Sequence, residues 1–168
     1  LRMRAPNPPT QALLAYLGAT PVGMPPGQVY ENIEKGVIDG AVFPWDAIKG
    51  FRLENILKHH LDARVYTSCF HLVMSPKRYA ELPPDVKKAI DATTGQVLTD
   101  KFGAWWNKWD QAGLDAVKPL NHEIVRVDDA TREKWRADLK PVIDGELAKL
   151  EKEGIANARA IYDEMRKQ

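Results

Sequence analysis

Short apolar runs alternate with helix-spaced apolar positions through the first third of the chain, the pattern of βαβ units and a largely parallel sheet. Residues 1–5 read as a strand, 10–17 as a helix stopped by Gly18, and 20–24 as a second strand. The unit then repeats. Val29, Tyr30 and Ile33 fall at helical spacing within 27–35, Gly36 suits a left-handed helix end, and Ala41, Val42 and Phe43 predict a buried strand closed by Pro44. Residues 47–61 read as a helix or broken helix, and 64–74, rich in β-branched and aromatic residues, as the longest strand.

Pro84 suits the first residue of a helix, where its missing N–H costs nothing. From there Val86, Ile90, Val97, Phe102, Trp105, Trp109, Ala112 and Ala116 are separated mainly by threes, fours and sevens. One helix over 84–118 would be about 50 Å long, long enough to lie across more than one lobe unless it kinks at Gly95, Gly103 or Gly113. A strand at 122–127 follows, then an N-cap at Asp128 or Asp129. The stretch 130–167 reads as helix interrupted by Pro141, Gly145 and Gly154, with Leu139, Val142, Ile143, Leu147 and Leu150 as its apolar stripe. The expectation is an α/β protein with helices at its carboxyl end.

Composition narrows the classes. A chain of 168 residues, 44% hydrophobic, can bury a core without a metal or disulfide. The 24 Lys and Arg stand against 23 Asp and Glu, so no concentrated positive charge draws phosphate backbones or anionic lipid, and no nucleic-acid partner is expected. Cys69 is the single cysteine, which forbids an intrachain disulfide. Apolar runs fall short of the roughly 20 residues of a membrane helix, so the chain is not expected to be membrane-embedded. No apolar leader core follows Leu1, and opening directly on a strand suggests a start within a longer protein.

Enzyme signatures are absent: there is no G-x-S-x-G, no phosphate-cradling glycine loop and no H-E-x-x-H. The adjacent His59 and His60 diverge by about 100° on a helix and make a poor chelate; no Cys or carboxylate stands at metal-ligand spacing from His71 or His122 in the sequence. Neither metal, cofactor nor catalytic residue is expected. Cys69 reads as a small buried hydrophobe in a strand, and Trp105, Trp106 and Trp109 as an inter-lobe core stripe. What remains is a binding signature. Arg4 ends the first strand, and the carboxyl ends of strands border the ligand crevice of an open parallel sheet. Its planar fork meets a carboxylate with two parallel hydrogen bonds; by position alone it is equally a solvated charge. Asn7 adds an amide nearby. Phe43, Pro44 and Trp45 end the third strand and offer an apolar wall or ordinary core packing.

The ordered set Leu1-Arg2-Met3-Arg4-Ala5-Pro6-Asn7, Leu17-Gly18-Ala19-Thr20-Pro21-Val22, Val29-Tyr30, Gly36-Val37-Ile38-Asp39-Gly40 and Tyr79-Ala80-Glu81-Leu82-Pro83 resembles the DctP-type substrate-binding proteins of tripartite ATP-independent periplasmic (TRAP) transporters. The resemblance covers nearly the whole chain, most sharply residues 1–90. It implies an α/β, periplasmic binding protein-like fold, two-lobed and class II-like, here without its N-terminal part. Residues 1–65 would form the ligand-binding lobe, 66–127 an inter-lobe strand, spanning helix and return strand, and 128–168 helices packing across the lobes.

The same resemblance implies a non-enzymatic periplasmic receptor that binds a small organic acid and delivers it to TRAP membrane permease subunits. Its carboxylate-binding arginine maps to Arg4 and its asparagine to Asn7. Phe43 takes a place where sialic-acid-binding members resemble one another in carrying Asn, which argues for a less polar acid than a polyhydroxylated sugar acid. Ligand-binding candidates are thus Arg4, Asn7, Phe43, Trp45 and Ser68. The rival reading is a ligand sensor coupled to a signalling partner.

Overall fold

Each of the first three strands is short, with burial concentrated at Arg4, Ala5 and Gly40. The computed structural model, which describes residues 1–167, orders them as parallel neighbours β2-β1-β3. Strand β1 (Arg2–Ala5) lies in the middle, in register with β2 (Thr20–Gly23) along its whole length and with β3 (Gly40–Ala41) at Met3 and Arg4. Helix α1 (Pro8–Tyr16) links β1 to β2; a 3-10 turn at Pro26–Gln28 and helix α2 (Val29–Glu34) link β2 to β3. The chain thus leaves β1 to one side and returns to the other, which makes the carboxyl end of β1 a topological switch point.

Asn7 is the N-cap of α1, its side chain taking the Thr10 N–H, with Pro8 and Pro9 in the first turn. The helix therefore starts two residues before the expected Thr10. Gly36 takes φ +66° after α2, as its position implied.

The residues group into two compact units. One holds 1–42, 56–63 and 123–167; the other holds 43–55 and 64–122. Besides the three-stranded sheet, the first contains the parallel pair β4 (His59–Asp62) and β5 (Glu123–Arg126), in register from His59 opposite Glu123 to Asp62 opposite Arg126. Helices α7 (Asp129–Asp138), α8 (Lys140–Lys152) and α9 (Ala158–Met165) complete it. Asp128 caps α7 by accepting the Thr131 N–H, as expected; Gly145 lies inside α8 without interrupting it. The Tyr16 hydroxyl donates to the Asp138 carbonyl at 3.0 Å and ties α1 to this helical end. Ala5, Val29 and Ile38 are buried in this unit.

In the second unit, α3 (Trp45–Gly50) is followed by a 3-10 turn at Leu53–Asn55, and α4 (Pro76–Ala80) and α5 (Pro84–Thr93) lead into α6 (Gln96–Val117). Pro84 opens α5 as expected. The long helix breaks at Gly95, whose φ of +62° suits a residue without a Cβ, and α6 then runs uninterrupted past Gly103 and Gly113 for about 33 Å. Leu53 and Val117 are fully buried.

Two expectations are corrected here. Residues 47–61, expected as a helix or broken helix, are broken helix only as far as Asn55: α3 ends at Gly50, Arg52 is left-handed at φ 57°, and His59–Asp62 pair as β4 with a strand more than sixty residues later. Residues 64–74 are not a strand. Arg64 turns left-handed at φ 52° and the stretch joins no ladder among the described residues. β-branched composition alone cannot make a strand without a backbone to pair with.

Candidate solute-binding site

Arg4 is a charged side chain at only 4% exposure, and its position in the sheet explains how that is tolerated. Its backbone lies between Val22 of β2 and Ala41 of β3. From there Nη1 donates to the Val42 carbonyl at 2.9 Å and Nε to the Met24 carbonyl at 3.3 Å. Met24 and Val42 each follow the last residue or two of a flanking strand, so the guanidinium laces the carboxyl ends of all three strands together. Burial of a charge is costly unless it is hydrogen-bonded; here two backbone acceptors meet it and fix the plane of its fork.

Arg2, two residues earlier, is committed elsewhere. Its Nη2 donates to Asp39 Oδ1 at 2.9 Å and to the Gly36 carbonyl at 2.8 Å, and its backbone N–H donates to Asp39 Oδ2 at 2.6 Å. These bonds hold the Asp39 carboxyl down at about 2.

Asn7 sits two residues past β1, half-buried. Its carboxamide oxygen accepts from the Thr10 N–H at 3.0 Å and from the Thr10 hydroxyl at 2.8 Å. That oxygen is spent on the helix cap, leaving Nδ2 as the polar end of the amide for any other role.

Phe43, Trp45 and Ser68 belong to the second unit, whereas Arg4 and Asn7 belong to the first. Phe43 stacks on Phe51 with centroids 5.9 Å apart and planes 26° from parallel. Trp45 is the first residue of α3; its N-cap, Pro44, makes no side-chain cap bond. Asp110 of α6 takes the Asp46 N–H at 2.9 Å instead. Burial first, then the charge of Asp110, raise the Asp46 carboxyl above its ordinary range, partly offset by the N–H groups of Ala47 and of Asp46 itself. Ser68 is half-buried in the irregular stretch after Ala63.

Sequence reasoning missed Phe51, Asp110 and Gly113. Phe51 follows Gly50 at a helix end, a weak signal for a ring folded back on its own element. Gly113 was visible, but as a kink; a Cβ built there would overlap the Trp45 carbonyl oxygen, so its role is close approach. Nothing local marks Asp110. Cys69, expected to be buried, is exposed because its segment is not a strand. The tryptophans are not a buried stripe: Trp105 and Trp109 are 41% and 46% exposed, and rings cluster instead, Phe70 on Trp106 at 4.3 Å and Trp106 against Trp109 edge-on at 5.2 Å.

The histidines are spread along β4 and elsewhere. His59 Nδ1 lies 2.9 Å from Glu123 Oε2, and His60, its neighbour on a strand and not a helix, points to the opposite face. No group of three or more His, Cys, Asp or Glu placed to hold a metal ion occurs among the described residues, and no described helix is long and apolar enough to cross a membrane.

The arrangement has counterparts. The model of the DctP family, bacterial extracellular solute-binding protein family 7, matches residues 1–150. The uncharacterized protein YiiZ of Salmonella typhimurium is 28% identical over 138 residues, covering 79% of this chain and 39% of its own length. A crystal structure of a TRAP solute binding protein from Rhodoferax ferrireducens, in complex with copurified benzoate, superposes on 99% of this chain and 55% of that one, with TM-score 0.82 and 25% identity. Another, of a marine metagenome TRAP solute binding protein specific for aromatic acid ligands and holding metahydroxyphenylacetate, covers 95% of this chain and 50% of that one at TM-score 0.73 and 28% identity. The chain spans less than half the length of YiiZ and about half of these two structures. A family match over most of its residues, together with the same fold, places the chain in the DctP family of bacterial extracellular solute-binding proteins.

Proposed function

We propose that the protein acts as a periplasmic receptor of a TRAP-type transporter, binding a small organic acid and delivering it to membrane permease subunits. The observation that carries this is Arg4: a buried guanidinium, its plane fixed by the Met24 and Val42 carbonyls, at the carboxyl end of the central strand of an open parallel sheet. A fork held in place before the solute arrives loses little freedom on binding and meets a carboxylate with two parallel bonds. Asn7 offers Nδ2 close behind on the same loop. Phe43 and Trp45 are the aromatic candidates for the solute and Ser68 a hydroxyl candidate.

An acid carrying an aromatic ring fits these residues best. Aromatic side chains favour a ring by stacking, and both related structures described above hold acids of that kind, benzoate and metahydroxyphenylacetate. A solute that contacts both lobes binds the closed form better and shifts the receptor toward it, and this closed form is what a permease would recognise.

Calorimetry on the full-length protein tests the reading, with a panel of organic acids including benzoate and with Arg4→Ala and Arg4→Lys beside wild type. Truncating one partner of a buried charge pair costs roughly 2–5 kcal/mol, and Lys lacks the fork, so both variants should bind far more weakly. Undiminished affinity in both removes Arg4 from the site.

A further inference from the structure

We infer that Asp110 and Gly113 of α6 are positioning residues for the turn Phe43-Pro44-Trp45, and through it favour a ring-bearing acid over a ringless one; the inference rests on the solute-binding reading above. Helix α3 is only six residues long, and Pro44, its N-cap, makes no side-chain cap bond. Its first turn is held from outside. Asp110 Oδ1 accepts the Asp46 N–H at 2.9 Å, and Gly113, one turn further along the same face of α6, lets the Trp45 backbone come against the helix. A Cβ at Gly113 would overlap the Trp45 carbonyl oxygen and stand 2.6 Å from its carbon and 3.3 Å from the Asp46 nitrogen. Backbone cannot yield as a flexible side chain does, so an added methyl must push the turn away.

Both contacts fall on one peptide segment, Trp45–Asp46, immediately after Phe43 and Pro44. Pro44 holds φ at −72° and carries that fixed direction back to Phe43. Phe43 is tied to the far end of α3 by its stack on Phe51. Any displacement of the first turn of α3 therefore moves both rings together. Glycine is a poor residue inside a 22-residue helix, and its buried place at Gly113 has this close approach as its physical reason.

Calorimetry of the full-length protein with benzoate and with butyrate, a ringless acid, separates this role from a merely structural one. Gly113→Ala and Asp110→Ala should each lower benzoate affinity about tenfold or more while changing butyrate affinity less than about threefold. Asp110→Asn, which keeps the Oδ1 acceptor, should stay within about threefold of wild type for both. Equal losses for the two acids, or unchanged benzoate binding by folded Gly113→Ala and Asp110→Ala, overturn the inference. If circular dichroism shows Gly113→Ala unfolded, Asp110→Ala with Asp110→Asn as its rescue decides. Wild type that binds no acid of the wider panel overturns the function reading and this inference with it, whereas wild type that binds other acids but not benzoate overturns this inference alone. Benzoate binding that is lost in Arg4→Ala but intact in both α6 variants overturns this inference alone.

Discussion

The Arg4 guanidinium donates through Nη1 to the Val42 carbonyl at 2.9 Å, joining the end of the central strand to the residue that follows β3. The side chain proposed to hold the solute is therefore also a brace of the sheet. Arg4→Ala leaves the Met24 and Val42 carbonyls without their Arg4 bonds, which costs about 1–3 kcal/mol when such groups stay buried. Urea unfolding without solute should show that loss. Arg4→Lys, able to reach one carbonyl, should lose less stability while binding acids as poorly as Ala. An Arg4→Ala variant as stable as wild type would mean that the brace contributes nothing.

The Asn7 cap allows structure and binding to be pulled apart with one position. Asn7→Ala removes the acceptor for Thr10 and should cost about 0.5–2 kcal/mol. Asn7→Asp keeps the acceptor and adds a negative charge at a helix N-terminus, which is favourable. That same charge, beside an incoming carboxylate, repels it. The Asp variant should therefore be the more stable of the two and the weaker binder of benzoate, as read by thermal unfolding and calorimetry. The reverse order in stability would overturn the capping role, and the reverse order in affinity would break the link between Asn7 and the solute.

What could be read from the sequence divides by the distance over which its cause acts. The β1–α1–β2 and α2–β3 units, the cap at Asp128 and the start at Pro84 depend on neighbours within a turn, and they stand close to where the pattern placed them, with α1 starting two residues early and β3 at Gly40–Ala41 ending before Val42 and Phe43. The helical expectation fails at its end, 59–61, because the strand partner Glu123–Arg126 lies far along the chain, and the strand expectation fails at 64–74 because side chains that suit a strand meet no ladder partner among the described residues. The candidate site follows the same rule. Arg4 was legible because the end of a parallel strand is a local feature with a global meaning. Asn7 was found for its amide, but its capping role was missed with the helix start. Asp110 and Gly113 act on Trp45 and Asp46 across more than sixty positions, and only the packed helices reveal them.

The Arg2–Asp39 pair should be visible in the acid limb of stability. Hydrogen bonds from Arg2 lower Asp39 from 3.8 to about 2, so the folded chain binds this proton more weakly than the unfolded one. The pair's contribution is complete above pH 3.8 and is lost as pH falls toward about 2. Asp39→Asn should lie below wild type in urea midpoint at neutral pH, with the gap closing over that window. Both groups are partly exposed, so added salt should narrow the gap. A gap that is independent of pH would assign the loss to packing and not to charge.

Asp46 carries the opposite sign. Burial and the neighbouring Asp110 charge raise its pKa, so the folded chain holds this proton more tightly than the unfolded one. The carboxyl imposes no electrostatic penalty while protonated in both states. As pH rises past 3.8 the unfolded chain ionises first, and the penalty grows until the folded carboxyl has ionised as well. Its Oδ1 is buried without a partner among the described residues, which leaves the negative form poorly solvated. Asp46→Asn keeps the backbone N–H that Asp110 accepts and removes the charge, so it should be more stable than wild type at neutral pH and converge with it below pH 3.8. Asp110→Asn should lower the Asp46 pKa toward the ordinary value by removing the like charge. Chemical unfolding across pH, with NMR titration of the Asp46 carboxyl, reads both effects. An Asp46→Asn variant less stable than wild type at neutral pH would show that the ionised carboxylate is held by favourable contacts, and the raised pKa would then have no place in the junction of α3 with α6.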